Sequence, residues 1–183
     1  MSLGILAEMR RNDLEVDIIC YSAAISACEK CYQWEQALGL LAEMQDHQFK
    51  PDIIIYNAAI SACEKGQEWE RALGILAEMQ EYDLKPNAIS YAAMVSACEK
   101  GQEWERALGV LVAMQELNLN PNVISYAAAM SACAKGRQWE RALMILAEMR
   151  QHDLEVDAIG YSAAISACDE GQEWERALLV LAQ

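Results

Sequence analysis

What constrains this chain most is a period. Tyr21, Tyr56, Tyr91, Tyr126 and Tyr161 stand 35 residues apart, and so do Trp34, Trp69, Trp104, Trp139 and Trp174. One phrase recurs around them: ISACEKGQEWERAL from Ile60, VSACEKGQEWERAL from Val95, MSACAKGRQWERAL from Met130 and ISACDEGQEWERAL from Ile165. A fixed period of this size marks a solenoid, because one supersecondary unit cannot bury its own apolar face and stacks on its neighbours. Four full units run 18–52, 53–87, 88–122 and 123–157, with a half unit at 1–17 and an incomplete one at 158–183. A single repeat array over residues 1–183 is the expected organisation.

Each unit reads as two helices. In the first, Tyr56, Ala59, Ile60 and Cys63 fall at i, i+3, i+4 and i+7, and in the second Trp69, Ala72, Leu73, Leu76 and Met79 continue that spacing. Gly66 separates the two, and the unit closes on Leu84-Lys85-Pro86-Asn87, where proline stops the helix. Pro51 and Pro121 repeat the stop, while Val16 and Val156 stand in its place elsewhere. No alternating strand pattern appears, and no apolar run approaches the roughly 18 residues of a membrane span, so membrane insertion is not expected. The fold class is all-α: a right-handed α-solenoid of stacked antiparallel helix pairs.

The period and the placement of tryptophan do not fit a tetratricopeptide array, with its period of about 34 residues and W-x2-L-G-x2-Y signature. The run Ile54-Ile55-Tyr56-Asn57-Ala58-Ala59-Ile60-Ser61-Ala62-Cys63-Glu64-Lys65-Gly66, then Ala72-Leu73, Met79 and Lys85-Pro86-Asn87, instead resembles the pentatricopeptide repeat family. The resemblance covers the whole chain. Its near-identical, alanine-rich wording is similar to the expanded arrays of some algal and dinoflagellate members, or to a consensus-like array.

That resemblance implies a binding module for single-stranded RNA, with first helices lining a groove and about one base read per repeat. By the same resemblance, the residue after each repeat tyrosine and the last residue of the unit read the base edge. These are Ser22 with Asp52, Asn57 with Asn87, Ala92 with Asn122, Ala127 with Asp157, and Ser162 alone. The first pair resembles a guanine reader and the second a pyrimidine reader. Alanine has neither donor nor acceptor, so the Ala92 and Ala127 repeats are expected to discriminate weakly. The base faces would be sandwiched by Ile19, Ile54, Ile89, Ile124 and Ile159. Lys30, Lys65, Lys100 and Lys135 form a column where the family's phosphate contact sits, broken by Glu170. A lysine there also complements the dipole of the helix it ends, which leaves the column two readings.

Charge argues against a polyanion partner until it is located. The chain has 28 acidic and 14 basic residues, a formal net charge of −14, whereas nucleic-acid affinity comes chiefly from Lys and Arg on phosphates. The first-helix halves together carry only −1, and the remaining −13 lies on second helices and linkers, including Glu68, Glu70, Glu78 and Glu81. The groove is close to neutral, with the outer carboxylates expected on solvated faces.

Other chemistry finds little support. Cys28, Cys63, Cys98, Cys133 and Cys168 lie on the apolar stripe and read as small core residues. Cys28-Glu29-Lys30-Cys31 is formally C-x-x-C, yet the second pair that a zinc site needs is missing. His47 and His152 have no repeated partner, and the H-x-E with P-C-x-x-C signature of deaminases is absent. No catalytic residues, metal, cofactor or small-molecule substrate are expected. The alternative reading is a non-catalytic protein-binding scaffold, docked on protein subunits of an organellar complex, which the acidic outer face and the alanine readers favour. Apolar end residues Ile5, Leu6, Leu178 and Leu181 imply end-to-end association or a longer array. Family resemblance places the protein in a chloroplast or mitochondrion; the chain shows no targeting peptide before Leu3, and its free thiols imply a reducing compartment.

Overall fold

The computed structural model describes residues 11, 16–152, 154–156, 158–173 and 175–177. Among these, the regular structure is helical throughout. The described residues form, in sequence, α1 (Ile18–Lys30), α2 (Trp34–Asp46), α3 (Ile53–Gly66), α4 (Trp69–Glu81), α5 (Ala88–Lys100), α6 (Trp104–Glu116), α7 (Val123–Lys135), α8 (Trp139–Gln151) and α9 (Ala158–Glu170). None of the described helices is long and apolar enough to cross a membrane. The end residues Ile5, Leu6, Leu178 and Leu181 lie outside the described residues.

First helices are capped by side chains. Asp17 accepts from the Cys20 amide at 2.9 Å, and Asp52 accepts from Ile54 and Ile55 at 3.0 and 2.9 Å. Asn87 builds a reciprocal capping box with Ser90, and Asn122 accepts from Ser125. Among the described residues the second helices α2, α4, α6 and α8 have no such cap. They open on tryptophan, with Glu35, Glu70, Glu105 or Glu140 in the first turn to complement the positive end of the dipole.

The chain divides into two compact units, Met1–Pro86 and Asn87–Gln183. In the first, α1 packs on α2 and α3, and α3 also packs on α2 and α4. In the second, α5 packs on α6 and α7, α7 on α6, α8 and α9, and α8 on α9. The core of each is the stripe read from the sequence. Tyr56, Ala59, Ile60, Cys63, Ala72, Leu76 and Met79 are all buried, as are Tyr126, Met130, Cys133, Ala142, Leu146 and Met149.

Two expected helix stops are corrected by the backbone. Gly66 does not separate the helices; it is the last residue of α3, and the chain turns at Gln67, which is left-handed at φ 63. Tyr32, Gln102, Arg137 and Gln172 take the same conformation at φ 59, 62, 56 and 61. Nor does proline stop the second helix. α2 ends at Asp46 and α4 at Glu81, before left-handed Gln48 (φ 61) and Asp83 (φ 58), well ahead of Pro51 and Pro86. The stop is a hydrogen-bonded αL turn, with Phe49 N–H reaching back to the Met44 carbonyl at 3.1 Å and Leu84 N–H to that of Met79 at 2.9 Å.

Glycine is required for space instead. A Cβ on Gly66 would lie 2.8 Å from Cγ of Trp34, the tryptophan that opens the second helix of the preceding repeat. Gly136 meets Trp104 (2.7 Å to Cγ) and Gly171 meets Trp139 (3.0 Å to Cγ) in the same way. At these three junctions the indole abuts the end of the next repeat's first helix, where a side chain would overlap it.

A second junction is polar. Tyr21, Tyr56 and Tyr126 donate their hydroxyls to Glu43, Glu78 and Glu148 at 2.9, 2.9 and 3.2 Å. Gln45 bridges Tyr56 and Glu78, and Gln115 bridges Tyr126 and Glu148, from the second helix of the repeat before. Glu78 was expected on a solvated outer face; it is half-buried and tied into the repeat junction. At the matching position after Tyr91 the chain has Ala113, which offers no acceptor. Arg150 replaces the glutamine and approaches Tyr161, its guanidinium carbon 5.8 Å from the ring centroid and Nη2 3.3 Å from the hydroxyl.

Two expectations follow for stability. Gly66→Ala drives a methyl into the Trp34 indole and should destabilise by roughly 1–3 kcal/mol, while Gly74→Ala, where nothing lies within 4 Å, should stabilise by up to about 1 kcal/mol. Equal urea midpoints for the two variants would contradict the packing role. Separately, burial pushes the Cys63 thiol up to about 12 and those of Cys98 and Cys133 up to about 11, from 9.0. Unfolded thiols lose protons first, so this contribution is complete below about pH 9 and falls as pH rises toward 11 to 12. A urea midpoint that stays flat between about pH 8 and 11 would contradict it.

Candidate nucleic-acid interface

The capping geometry of the first helices decides what they present. With the cap residue just before the helix, the second helical residue is Ile19, Ile54, Ile89, Ile124 or Ile159. These five side chains are 64 to 74% exposed, although each is a large aliphatic. Their neighbours in sequence, such as Ile55, Ser90 and Ser125, turn inward and are buried. Each packed pair of first helices thus displays one exposed isoleucine per repeat: α1 beside α3 in the first unit, and α5, α7 and α9 in the second.

One turn on from each isoleucine comes the residue after the tyrosine. Ser22 and Asn57 are half-buried polar groups, Ala92 is half-buried, Ala127 is buried and Ser162 is exposed. The partner readers Asp52, Asn87 and Asn122 have a duty the sequence reading did not assign, since their Oδ1 atoms cap α3, α5 and α7. Capping engages one oxygen with the backbone amides and leaves a second carboxylate oxygen on Asp52 and an amide nitrogen on Asn122, both exposed residues, for other partners. Asp17 plays the same capping part for α1, and the Cys20 amide hydrogen bond holds its carboxyl below the ordinary range. Asp157 lies outside the described residues.

The lysine column is more engaged than its spacing implied. Lys65 Nζ lies 2.8 Å from Glu29 Oε1, and Lys135 Nζ lies 2.6 Å from Glu99 Oε1. Lys30 is exposed and Lys100 half-buried. Glu29 and Glu99 were missed by the sequence reading, although both carry the 35-residue period and each sits immediately before a lysine of the column. The cysteines of the core stripe are free thiols, buried, with their pKa values raised by desolvation, so they are held as neutral packing groups. Among the described residues no group of three or more His, Cys, Asp or Glu side chains is placed to hold a metal ion.

A comparison with curated proteins finds no match. Solved structures do. The chain is similar to the pentatricopeptide repeat protein PPR10 from maize, with a TM-score of 0.82 at 20% identity over 97% of this chain and 25% of that one. It is similar to PPR10 in complex with an 18-nt psaJ RNA element, with a TM-score of 0.80 at 22% identity over 100% of this chain and 27% of that one. The PPR domain of Arabidopsis thaliana protein-only RNase P 1 in complex with tRNA gives a TM-score of 0.76 at 16% identity, covering 87% of this chain and 84% of that one. The chain thus spans about a quarter of the PPR10 chains, and at these identities the likeness is one of fold. The family model described as the pentacotripeptide-repeat region of PRORP matches residues 6–181. With that match running through every repeat, the chain belongs to the pentatricopeptide-repeat family.

Proposed function

We propose that the chain is a non-catalytic module that binds single-stranded RNA, working in an organelle as the family generally does. The exposed isoleucine at the second position of each first helix carries the reading. Packing alone gives no reason to leave one large aliphatic 64 to 74% exposed in every repeat, whereas an unstacked base offers a flat apolar face that such side chains would grip from both sides. Support comes from similar structures that hold RNA, an 18-nt psaJ element and a tRNA.

In this reading the caps explain why the readers sit where they do. Asp52 is acceptor-only, which suits the N1–H and N2–H donors of guanine, and Ser22 is its partner. Asn57 is the pyrimidine reader. Ala92 and Ala127 read little, so the preference is G-pyrimidine-N-N, with the 5′ end toward Met1. The −14 charge is compatible with this, because the acids cluster away from the first helices. A protein-binding role remains the second reading, favoured by the exposed apolar Val112, Leu117 and Met144 on and after the second helices of the second unit.

Three measurements test the proposal. Ile54→Ser should weaken single-stranded RNA of every sequence while leaving the melting temperature unchanged, since the side chain contributes to a ligand and not to the core. Asn57→Ala should relax the pyrimidine position, at a cost of about 1 kcal/mol for the lost base-edge hydrogen bond. Lys65→Ala should weaken all sequences alike and flatten the salt slope by less than about 0.7, the full value for one phosphate contact on a single strand. Single-stranded RNA pools that show no binding at ~50 mM salt, where screening is least, would overturn the RNA reading, and a stable protein complex that forms with the lysines dispensable would establish the scaffold.

A further inference from the structure

We propose that Glu29 and Glu99 are masking residues that hold the phosphate lysines of the following repeat, Lys65 and Lys135, and so subtract sequence-independent attraction from the groove. This rests on the RNA reading above.

The arrangement is built twice on the same plan. Glu29 at the end of α1 accepts from Lys65 Nζ at 2.8 Å and from Ser61 Oγ at 3.2 Å, both on α3. Glu99 at the end of α5 accepts from Lys135 Nζ at 2.6 Å and from Ser131 Oγ at 2.8 Å, both on α7. Serine and lysine lie four residues apart, one above the other on the helix face, so the hydroxyl fixes the carboxylate where the ammonium reaches it. The two ion pairs stay open to solvent, with side-chain exposures of 26% and 24% in the first and 41% and 17% in the second. A phosphate can therefore reach either ammonium, but only in competition with a carboxylate already there.

The sequence treats cation and anion as a unit. The 36-residue spacing from Glu29 to Lys65 and Glu99 to Lys135 recurs from Glu64 to Lys100. Where the carboxylate is lost, at Ala134, the lysine 36 residues on is lost too, as Glu170. There the polarity reverses, and Arg137 faces Glu170 with Nε 3.7 Å from Oε2. A column kept only to attract phosphate has no need to lose its lysine where the glutamate is missing.

The physical effect follows from counterion release. A lysine that enters a complex unpaired adds affinity for any single strand, whatever its sequence. A lysine that must exchange a carboxylate for a phosphate adds less, and Glu29, still anchored by Ser61, stays close enough to repel the incoming charge. Sequence-independent binding falls while the base-edge contacts are untouched, so every sequence loses the same factor in affinity, and strands that lack those contacts are the first to drop below the concentration at which they bind.

The test compares Glu29→Gln/Glu99→Gln with the parent, on single-stranded RNA pools and on G-pyrimidine oligonucleotides, across a salt series. Glutamine keeps the acceptor for Ser61 and Ser131, and circular dichroism checks that helicity is retained. The expected result is a several-fold rise in affinity for all sequences alike and a salt slope steeper by up to about 1.4, which is 0.7 for each lysine released. Binding by the variant where the parent shows none would equally support masking. A parent that binds RNA beside a variant with the same affinity and slope would overturn this inference and leave the RNA reading standing, the ion pairs then being structural. Failure of both proteins to bind at ~50 mM salt would overturn the RNA reading, and this inference with it.

Discussion

The contact on which the repeat depends is the one between a tryptophan and a glycine. Trp34, Trp104 and Trp139 each open the second helix of one repeat and lie against the glycine at the end of the next repeat's first helix, where a single methyl group would overlap the indole. The contact sets how closely successive helix pairs approach, and therefore which other side chains can meet. With the spacing set, Gln45 reaches both Tyr56 and Glu78, and Glu29 reaches Lys65. Hydrophobic area supplies most of the driving force in such a core, but an alanine-rich stripe of Ala59, Ala62 and Ala72 carries little shape of its own. Register comes from the large flat ring that fits one place.

Much of this was legible in the sequence, and the misreadings have a common cause. Tyr56, Ala59, Ile60 and Cys63 could be placed in the core because helical spacing and burial are properties of one helix. Gly66 was misread as a breaker because glycine most often supplies a left-handed turn; here Gln67 takes that conformation and glycine makes room for a ring 32 positions earlier. Pro51 was credited with a stop that Gln48 performs. Glu78 looked like one more solvated carboxylate, because the Tyr56 hydroxyl it accepts from is 22 residues away. Local periodicity reveals which side of a helix is apolar and says nothing about what the polar side meets one repeat later.

The candidate site divides along the same line. The five isoleucines were singled out by resemblance alone, and their exposure is something no periodicity argument would have supplied. The proposed reader positions Asp52, Asn87 and Asn122 carry a capping role that the resemblance did not supply, although an Asp or Asn immediately before a helix is the ordinary cap signal. That capping bears on the proposed recognition. A side chain already pinned by backbone amides has less rotamer freedom to lose when a ligand arrives, so its remaining polar atom is presented ready oriented. Glu29 and Glu99 show the converse, a pair of residues whose meaning lies wholly in a partner 36 positions on.

The repeats are nearly identical in wording, yet Ala113 makes one of them unlike the rest. In a quasi-one-dimensional array, stability is approximately a sum of local terms with coupling to nearest neighbours, so a tie that is absent from one repeat is felt there and not spread over the molecule. The helix pair α5 and α6 has no carboxylate for the Tyr91 hydroxyl, where α3 and α4, or α7 and α8, have one. One unmade tie in an otherwise repeated set therefore lowers the local opening free energy of residues 88–122 relative to a repeat of the same packing that has it, a difference that acts through that segment's own amides and its neighbours'.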